Sequence, residues 1–193
     1  MSRILIIDCF DSFTFNIHHY LDEVNSGNCD VVRYDDFRPD TIRNYSHVVI
    51  SPGPGLPSHY PLLNSAIEAC RHGSISLLGV CLGLQAIAEH FGGSLHNLSK
   101  VLHGVHSPIE VSPGCALFHS LETPLEVGHY HSWVVSEEDF PEVLRITSRT
   151  REGLIMSVEH RELPIHGVQF HPESIMTAGG KTMLKNWLEL RSS

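Results

Sequence analysis

The chain has 193 residues, of which 41% are hydrophobic, and this length suits one compact domain with a substantial core. A formal net charge of -9 argues against binding to nucleic acid or to an anionic membrane, and no apolar run reaches the length of a membrane span. The apolar run at the start of the chain is too short for a signal peptide, because it already ends at the acidic Asp8. We therefore expect a cytoplasmic protein with a single domain over residues 1–193.

Strands and helices alternate in the first half of the chain. Apolar runs predict strands over residues 3–8, 30–34, 47–51 and 75–80. Between and after them, helical patterns cover residues 13–24, 39–44, 60–72 and 82–91, with Asp11 or Ser12 as the expected cap of the first helix. This alternation predicts a three-layer, flavodoxin-like α/β fold, with a mostly parallel central sheet and helices on both faces.

The pattern changes after residue 93. Short alternating runs lie at residues 94–98, 108–112, 125–128, 131–136, 143–148, 154–160 and 165–170. We expect these runs to be antiparallel strands that extend the sheet or form a small side sheet. A last amphipathic helix is predicted over residues 180–190.

The cysteines and histidines give no metal motif. There are five cysteines, an odd number, and no Cys-x-x-Cys pair, so reduced thiols are expected. The fifteen histidines include three close pairs, His18 with His19, His103 with His106, and His129 with His131. None has a carboxylate or cysteine at motif spacing, so we expect neither a metal site nor a cofactor.

Cys81 is the candidate nucleophile. It lies at the junction of a buried strand and a helix, between Gly79 and Gly83. Such a sharp turn lifts the middle side chain to the top of a sheet, and the helix N-terminus behind it favours a thiolate. Most cysteines are simply buried core residues, but the flanking glycines favour the functional interpretation here.

His171 and Glu173 are the candidate base and orienting acid. An apolar run leads into His171, and only Pro172 separates it from Glu173. Because proline restricts its own backbone and that of its neighbour, the carboxylate can be held near the imidazole. Taken alone, a surface turn with an incidental ion pair explains these residues as well.

Residues 52–57, Pro-Gly-Pro-Gly-Leu-Pro, form a loop just past a predicted strand. Open α/β sheets place their ligand loops at this edge. Together with the segments around Cys81 and His171, this loop resembles the class I glutamine amidotransferases of the triad type. Further segments, at residues 8–16, 101–104, 130–132 and 155–156, resemble the small-subunit branch that serves anthranilate synthase and aminodeoxychorismate synthase.

The resemblance implies a role for each matching residue. Cys81 would attack the side-chain amide of L-glutamine, His171 would transfer protons, and Glu173 would orient the imidazole. Backbone N–H groups of Gly55 and Leu82 would form the oxyanion hole, since Pro54 has no N–H. The implied glutamine-binding residues are Gly53, Pro54, Gly55, Gln85, Ser132 and Trp133. Without the motifs around them, the alternative is that Gln85 is a solvated helix residue and Ser132 a turn residue.

The resemblance also implies a partner, a large chorismate-binding synthase subunit that receives the ammonia. Serving the tryptophan pathway is the leading hypothesis, and serving the folate pathway, or both, is the first alternative. Further alternatives are a free-standing γ-glutamyl hydrolase and a non-catalytic binding subunit. The chain departs from the family pattern at Val105, His129, Trp133 and the pair Cys9 and Phe10, where lysine, arginine, leucine and Asn-Tyr are usual.

Overall fold

A computed structural model describes residues 2–190 of the chain. Nine strands and four α-helices follow one another in this part: β1 Ile4–Asp8, α1 Thr14–Asn25, β2 Cys29–Arg33, β3 His47–Ile50, α2 Leu62–Gly73, β4 Ser76–Val80, α3 Leu82–His90, β5 Leu95–Val111, β6 Leu125–Val135, β7 Leu144–Thr150, β8 Ile155–His160, β9 Ile165–Val168 and α4 Gly180–Glu189. Short 3₁₀ helices cover Pro39–Asn44, Pro57–His59 and Ala116–Phe118.

All nine strands belong to one sheet in the order β2-β1-β3-β4-β9-β8-β7-β5-β6. The strands from β2 to β9 in this order are parallel, and those from β9 to β6 pair antiparallel. The first five strands have the flavodoxin-like arrangement, in which ligands bind at the carboxyl ends of the strands. The predicted fold, with its antiparallel extension, is therefore observed.

The central strands are buried on both faces, which explains their continuous apolar runs. Alternate residues enter two separate cores. On one face Leu5 and Ile7 of β1 pack in the core that holds α2 and α3. On the other face Ile4 and Ile6 lie in the core that contains α1, α4 and the fully buried Trp187.

Three details differ from the sequence-based expectation. The runs at residues 94–98 and 108–112 belong to one strand, β5, whose exposed middle pairs with β6 through register shifts. The runs at 125–128 and 131–136 are likewise joined in β6. Strand β9 is antiparallel to β8 but parallel to β4, so it is the strand that joins the two halves of the sheet. Alternation alone cannot distinguish these pairings, because it reports which residues are buried and not the neighbouring strand.

The predicted cap of α1 is also wrong. The helix begins at Thr14 with Phe13 at the cap position, not Asp11 or Ser12. Asp11 Oδ1 accepts a hydrogen bond from the Phe13 N–H at 2.8 Å, and Asp8 Oδ1 accepts one from the Thr14 hydroxyl at 2.8 Å. These carboxylates stabilise a turn before the helix, so the helix starts later than its polar residues suggest.

Candidate active site

Cys81 lies between β4 and α3 in a strained backbone conformation, with φ 52° and ψ -99°. The neighbouring glycines allow this turn. A Cβ atom on Gly79 would lie 2.4 Å from the carbonyl carbon of Gly83, and one on Gly83 would lie 2.5 Å from the carbonyl oxygen of Ile50. Strand, helix and adjoining strand therefore approach to backbone contact around the thiol, as expected for a nucleophile elbow.

His171 and Glu173 form a buried pair just beyond β9. His171 Nδ1 lies 2.7 Å from Glu173 Oε1, and the two residues are each 2% exposed. The surface-turn alternative is therefore wrong. The imidazole also packs edge-on against the rings of Phe13 and Tyr130, with centroid distances of 5.5 and 4.9 Å. Ring orientation is thus fixed by a carboxylate on one side and by aromatic side chains around it.

The environment of His171 favours its protonated form. Burial opposes protonation, but hydrogen bonding to Cys81 and the hydrogen bond and charge of Glu173 raise the pKa of His171 to about 10. Within the described residues, His171 Nε2 is buried and has no well-aligned hydrogen-bond partner. Hydrogen bonds of catalytic pairs are often poorly aligned before substrate binds.

A pocket of about 240 Å³ opens beside the thiol. It is lined by most of the residues that the resemblance implied, namely Gly53, Pro54, Gly55, Cys81, Leu82, Gln85, Ser132 and Trp133. Four further lining residues had no predicted role: Val101, His103, Tyr130 and His131. His171 and Glu173 do not line the pocket. Segments that are far apart in the chain thus meet at the carboxyl end of the parallel strands.

The loop at residues 52–57 is seated directly on the elbow. A Cβ atom on Gly53 would lie 2.6 Å from Leu82 Cδ2, and one on Gly55, whose φ is +80°, would lie 2.5 Å from His59 Nδ1. The Tyr60 hydroxyl donates to the Pro54 carbonyl at 3.0 Å and fixes the loop. Leu82 is the first residue of α3, where helices leave backbone N–H groups without partners. The Leu82 N–H is therefore among those that α3 leaves without an internal partner.

Gln85 is held by the protein itself. It is 3% exposed, and its Nε2 donates to the Trp133 carbonyl at 2.9 Å and to Gln169 Oε1 at 3.3 Å. Both hydrogens of its amide are thereby used, so only Oε1 is free to accept a hydrogen bond from a ligand. If Gln85 binds a glutamine substrate as predicted, it can do so only as a hydrogen-bond acceptor, through Oε1.

Sequence reasoning assigned no role to Gln169. Its side chain is fully buried, and Nε2 lies 3.5 Å from Cys81 Sγ. The residue stands inside the segment around His171 that carried the resemblance. A polar side chain in a buried strand run was the indication that could have identified it.

His129 and His131 on β6 are buried and form a chain of polar contacts with Ser107. Ser107 Oγ lies 2.8 Å from His129 Nε2, and His129 Nδ1 lies 3.2 Å from His131 Nε2. The pKa of His129 is lowered to about 4, mainly by burial and secondly by the charge of His171. Burial and the neighbouring His129 and His171 lower the pKa of His131 to about 3. Both rings are therefore neutral near pH 7, which suits a site that already holds one imidazolium.

One group of possible metal ligands was not anticipated. Among the described residues, the ligand atoms of His18, Asp22 and Cys29 lie within 4.8 Å of one another. His18 Nε2 is already 3.2 Å from the Cys29 carbonyl and 3.4 Å from the Asp22 carboxylate. None of these residues lines the pocket beside Cys81.

Comparison with known proteins identifies the family of this chain. A family model described as glutamine amidotransferase class-I matches residues 5–190. A putative anthranilate synthase component II of Haemophilus influenzae is 45% identical over 97% of this chain and 96% of its own length. An aminodeoxychorismate/anthranilate synthase component 2 of Bacillus subtilis is 44% identical over 96% of this chain and 95% of its own.

The fold has solved relatives. The crystal structure of a glutamine amidotransferase from Thermotoga maritima superposes with a TM-score of 0.80, covering 97% of this chain and 96% of that one, at 17% identity. This likeness concerns the fold alone.

None of the helices in residues 2–190 has the length and apolar character needed to cross a bilayer.

Proposed function

Since this chain belongs to the class-I glutamine amidotransferase family, we propose that it hydrolyses L-glutamine at Cys81 and supplies the ammonia to a chorismate-binding synthase subunit. The specific assignment that we propose is component II of anthranilate synthase. The observation that carries the proposal is the meeting of a strained Cys81 with the buried His171–Glu173 pair beside a small polar pocket.

The chemistry follows from the groups in place. His171 holds the proton of the Cys81 thiol, and the resulting thiolate attacks the side-chain carbonyl carbon of glutamine, whose oxygen takes up the negative charge. The N–H groups of Gly55 and Leu82 stabilise that oxyanion. His171 donates a proton to the departing ammonia, leaving a γ-glutamyl thioester. His171 then accepts a proton from water, whose oxygen attacks the thioester. The C–S bond breaks, glutamate is released, and the Cys81 thiolate is restored beside protonated His171.

The pocket suits one amino acid. Its volume of about 240 Å³ is below the range of sites that hold drug-sized ligands. Gln85 Oε1 accepts from the substrate, while the backbone at Ser132 and Trp133 takes its α-amino and carboxylate groups. A Cβ atom on Gly53 would collide with Leu82 and Cys9, and one on Gly55 with His59, so glycine at these positions lets the loop close over the pocket.

The surface around the pocket supports a protein partner. Large apolar side chains are exposed at this end of the sheet: Val101 on the pocket wall is 62% exposed, and Ile175, two residues after Glu173, is 98% exposed. Phe10, which follows β1 at the same carboxyl edge, is also exposed. Apolar residues next to an active site are typical of a docking surface. A partner seated there would also close the route by which ammonia leaves.

The large subunits of anthranilate synthase and of aminodeoxychorismate synthase are both candidate partners. The Bacillus subtilis relative carries the names of aminodeoxychorismate and anthranilate synthase together, and this favours, as the second candidate, one small chain shared by both enzymes. The chemistry at Cys81 is the same in either case. We place the protein in the cytoplasm, where its cysteines stay reduced, and we propose that the chain acts as one domain.

The test combines the purified chain with each large subunit. With the large subunit of anthranilate synthase, chorismate consumption that requires glutamine should appear, and it should be absent in Cys81→Ser. Activity only with the large subunit of aminodeoxychorismate synthase would reject the tryptophan assignment. Faster cleavage of γ-glutamyl peptides than of glutamine by the isolated chain would reject the subunit role.

A further inference from the structure

Gln169 lies beside the nucleophile because of strand register. Parallel strands β4 and β9 pair Gly79 with Gly167 and Val80 with Val168. The next positions on the two strands are Cys81 and Gln169, and the Cys81 N–H donates to the Val168 carbonyl at 2.8 Å. The neighbouring backbone therefore fixes the Gln169 side chain next to the sulfur.

The hydrogen bonds determine which end of the Gln169 amide faces Cys81. A backbone carbonyl can only accept, so the atom of Gln85 that lies 2.9 Å from the Trp133 oxygen must be nitrogen. That nitrogen can only donate, so the atom of Gln169 that lies 3.3 Å from it must be oxygen. The remaining end of Gln169, which lies 3.5 Å from Sγ, is therefore its NH₂ group.

We propose that Gln169 is a positioning residue that donates a hydrogen bond to the Cys81 sulfur, stabilises its thiolate and aims it at the substrate carbon. The chain of contacts from Trp133 through Gln85 to Gln169 fixes this donor. The proposal deepens the proposed function, on which it rests, because it explains how the nucleophile is held ready before glutamine arrives.

Burial strengthens the effect. The Gln169 side chain is inaccessible to solvent, and Cys81 is 7% exposed. A thiolate in such a place has little water to solvate it, so a fixed N–H donor contributes more than it would at the surface. The same chain links the nucleophile to Trp133 on β6, one of the residues that we propose to bind substrate.

The experiment uses two variants of Gln169 and one control in the full chain. Gln169→Glu keeps the shape but replaces the donor with a carboxylate, and Gln169→Met removes the donor at similar size. Thr147→Val removes one buried hydroxyl that bonds to Ser157 at 2.6 Å on β7 and β8, outside the pocket. The pH dependence of iodoacetamide alkylation at Cys81 is followed by peptide mass spectrometry, with glutaminase kinetics on the same samples.

Gln169→Glu should move the alkylation midpoint of Cys81 upward by about one to two pH units, and Gln169→Met by less. In both, kcat should fall about tenfold to a hundredfold while KM changes by less than about threefold. Thr147→Val should change neither. A purely structural role predicts lower thermal stability with an unchanged midpoint, and that result would overturn the proposal.

Failure of the proposed function is separable from failure of this inference. If the wild-type chain shows no glutaminase activity with any partner but the alkylation midpoint still moves in the uncharged variant Gln169→Met, then Gln169 positions the sulfur for another reaction. If the wild type is active and neither variant shifts the midpoint, Gln169 has no part in stabilising the thiolate.

Discussion

The His171 Nδ1 atom lies 2.7 Å from Glu173 Oε1 across the single residue Pro172, and both side chains are buried. Because the two residues are only two positions apart, the geometry of the pair depends on the turn that follows β9. Cys81, the third residue of the candidate site, directly follows a different strand, β4. The site is therefore assembled where β4 and β9 lie side by side.

Removing the charge of Glu173 should impair catalysis without opening the fold. In Glu173→Gln the amide can present either its oxygen or its NH₂ group to His171, so the correct imidazole orientation and the imidazolium lose support. We expect kcat for glutamine hydrolysis to fall about a hundredfold to ten-thousandfold. Exposed Glu162 is a matched control, and Glu162→Gln should retain wild-type kinetics. Equal kcat in Glu173→Gln and wild type would contradict the role of the pair.

The imidazole of His171 should titrate far above the usual range. Its pKa is raised to about 10 by Cys81 and Glu173 despite burial. NMR observation of the ring should show an imidazolium at pH 8, and Glu173→Gln or Cys81→Ala should lower the midpoint. The protonated His171 stabilises the folded state fully below about pH 6.5, and this stabilisation is lost as the pH rises towards the folded-state pKa of about 10. A ring that is neutral at pH 8 would refute this.

Acid should destabilise the protein through the His129–His131 chain. The pKa of His131 is lowered to about 3 in the folded state, so the unfolded chain binds the proton more readily. The free energy of unfolding should therefore decrease as pH falls from about 6.5 towards 3. His131→Gln, which cannot take up this proton, should show a shallower decrease in urea unfolding between pH 7 and 4. Identical slopes in the two proteins would show that His131 is not responsible.

The elbow glycines should tolerate no side chain. In Gly79→Ala the new Cβ would lie 2.4 Å from the backbone of Gly83, so strand and helix must separate. We expect a loss of at least about 2 kcal/mol in the free energy of unfolding and slower alkylation of Cys81.

Gly73 provides the control for that substitution. The nearest atom to a Cβ there is the end of the Ile75 side chain, at 2.9 Å, which can rotate away. Gly73→Ala should therefore change the unfolding free energy by less than about 1 kcal/mol. Similar effects at the two glycines would mean that backbone contact at the elbow is not the cause.

Sequence reasoning reached the α/β class, the family and the enzyme because the informative features are local. The glycines around Cys81 and the segment at His171 each encode a turn, and the family match confirms the resemblance that they carried. The roles of individual site residues stay predictions.

What the sequence could not provide is contact between distant segments. The parallel pairing of β9 with β4 depends on chain order in the sheet, and it places Gln169 beside Cys81. The contact of Gln85 with Trp133 spans 48 residues, and together with the contact to Gln169 it leaves Oε1 as the one free atom of the Gln85 amide. The neutral state of His129 follows from burial, which its identity alone does not reveal.

The most direct test of the central claim is labelling by a glutamine analogue that carries an electrophilic carbon in place of the side-chain amide. The protein, alone and with a chorismate-binding large subunit, is treated with the analogue and mapped by peptide mass spectrometry. The proposed function predicts one adduct per chain on Cys81, protection by L-glutamine and no adduct in Cys81→Ser. An adduct on another residue, or labelling of Cys81 that glutamine does not slow, would contradict it.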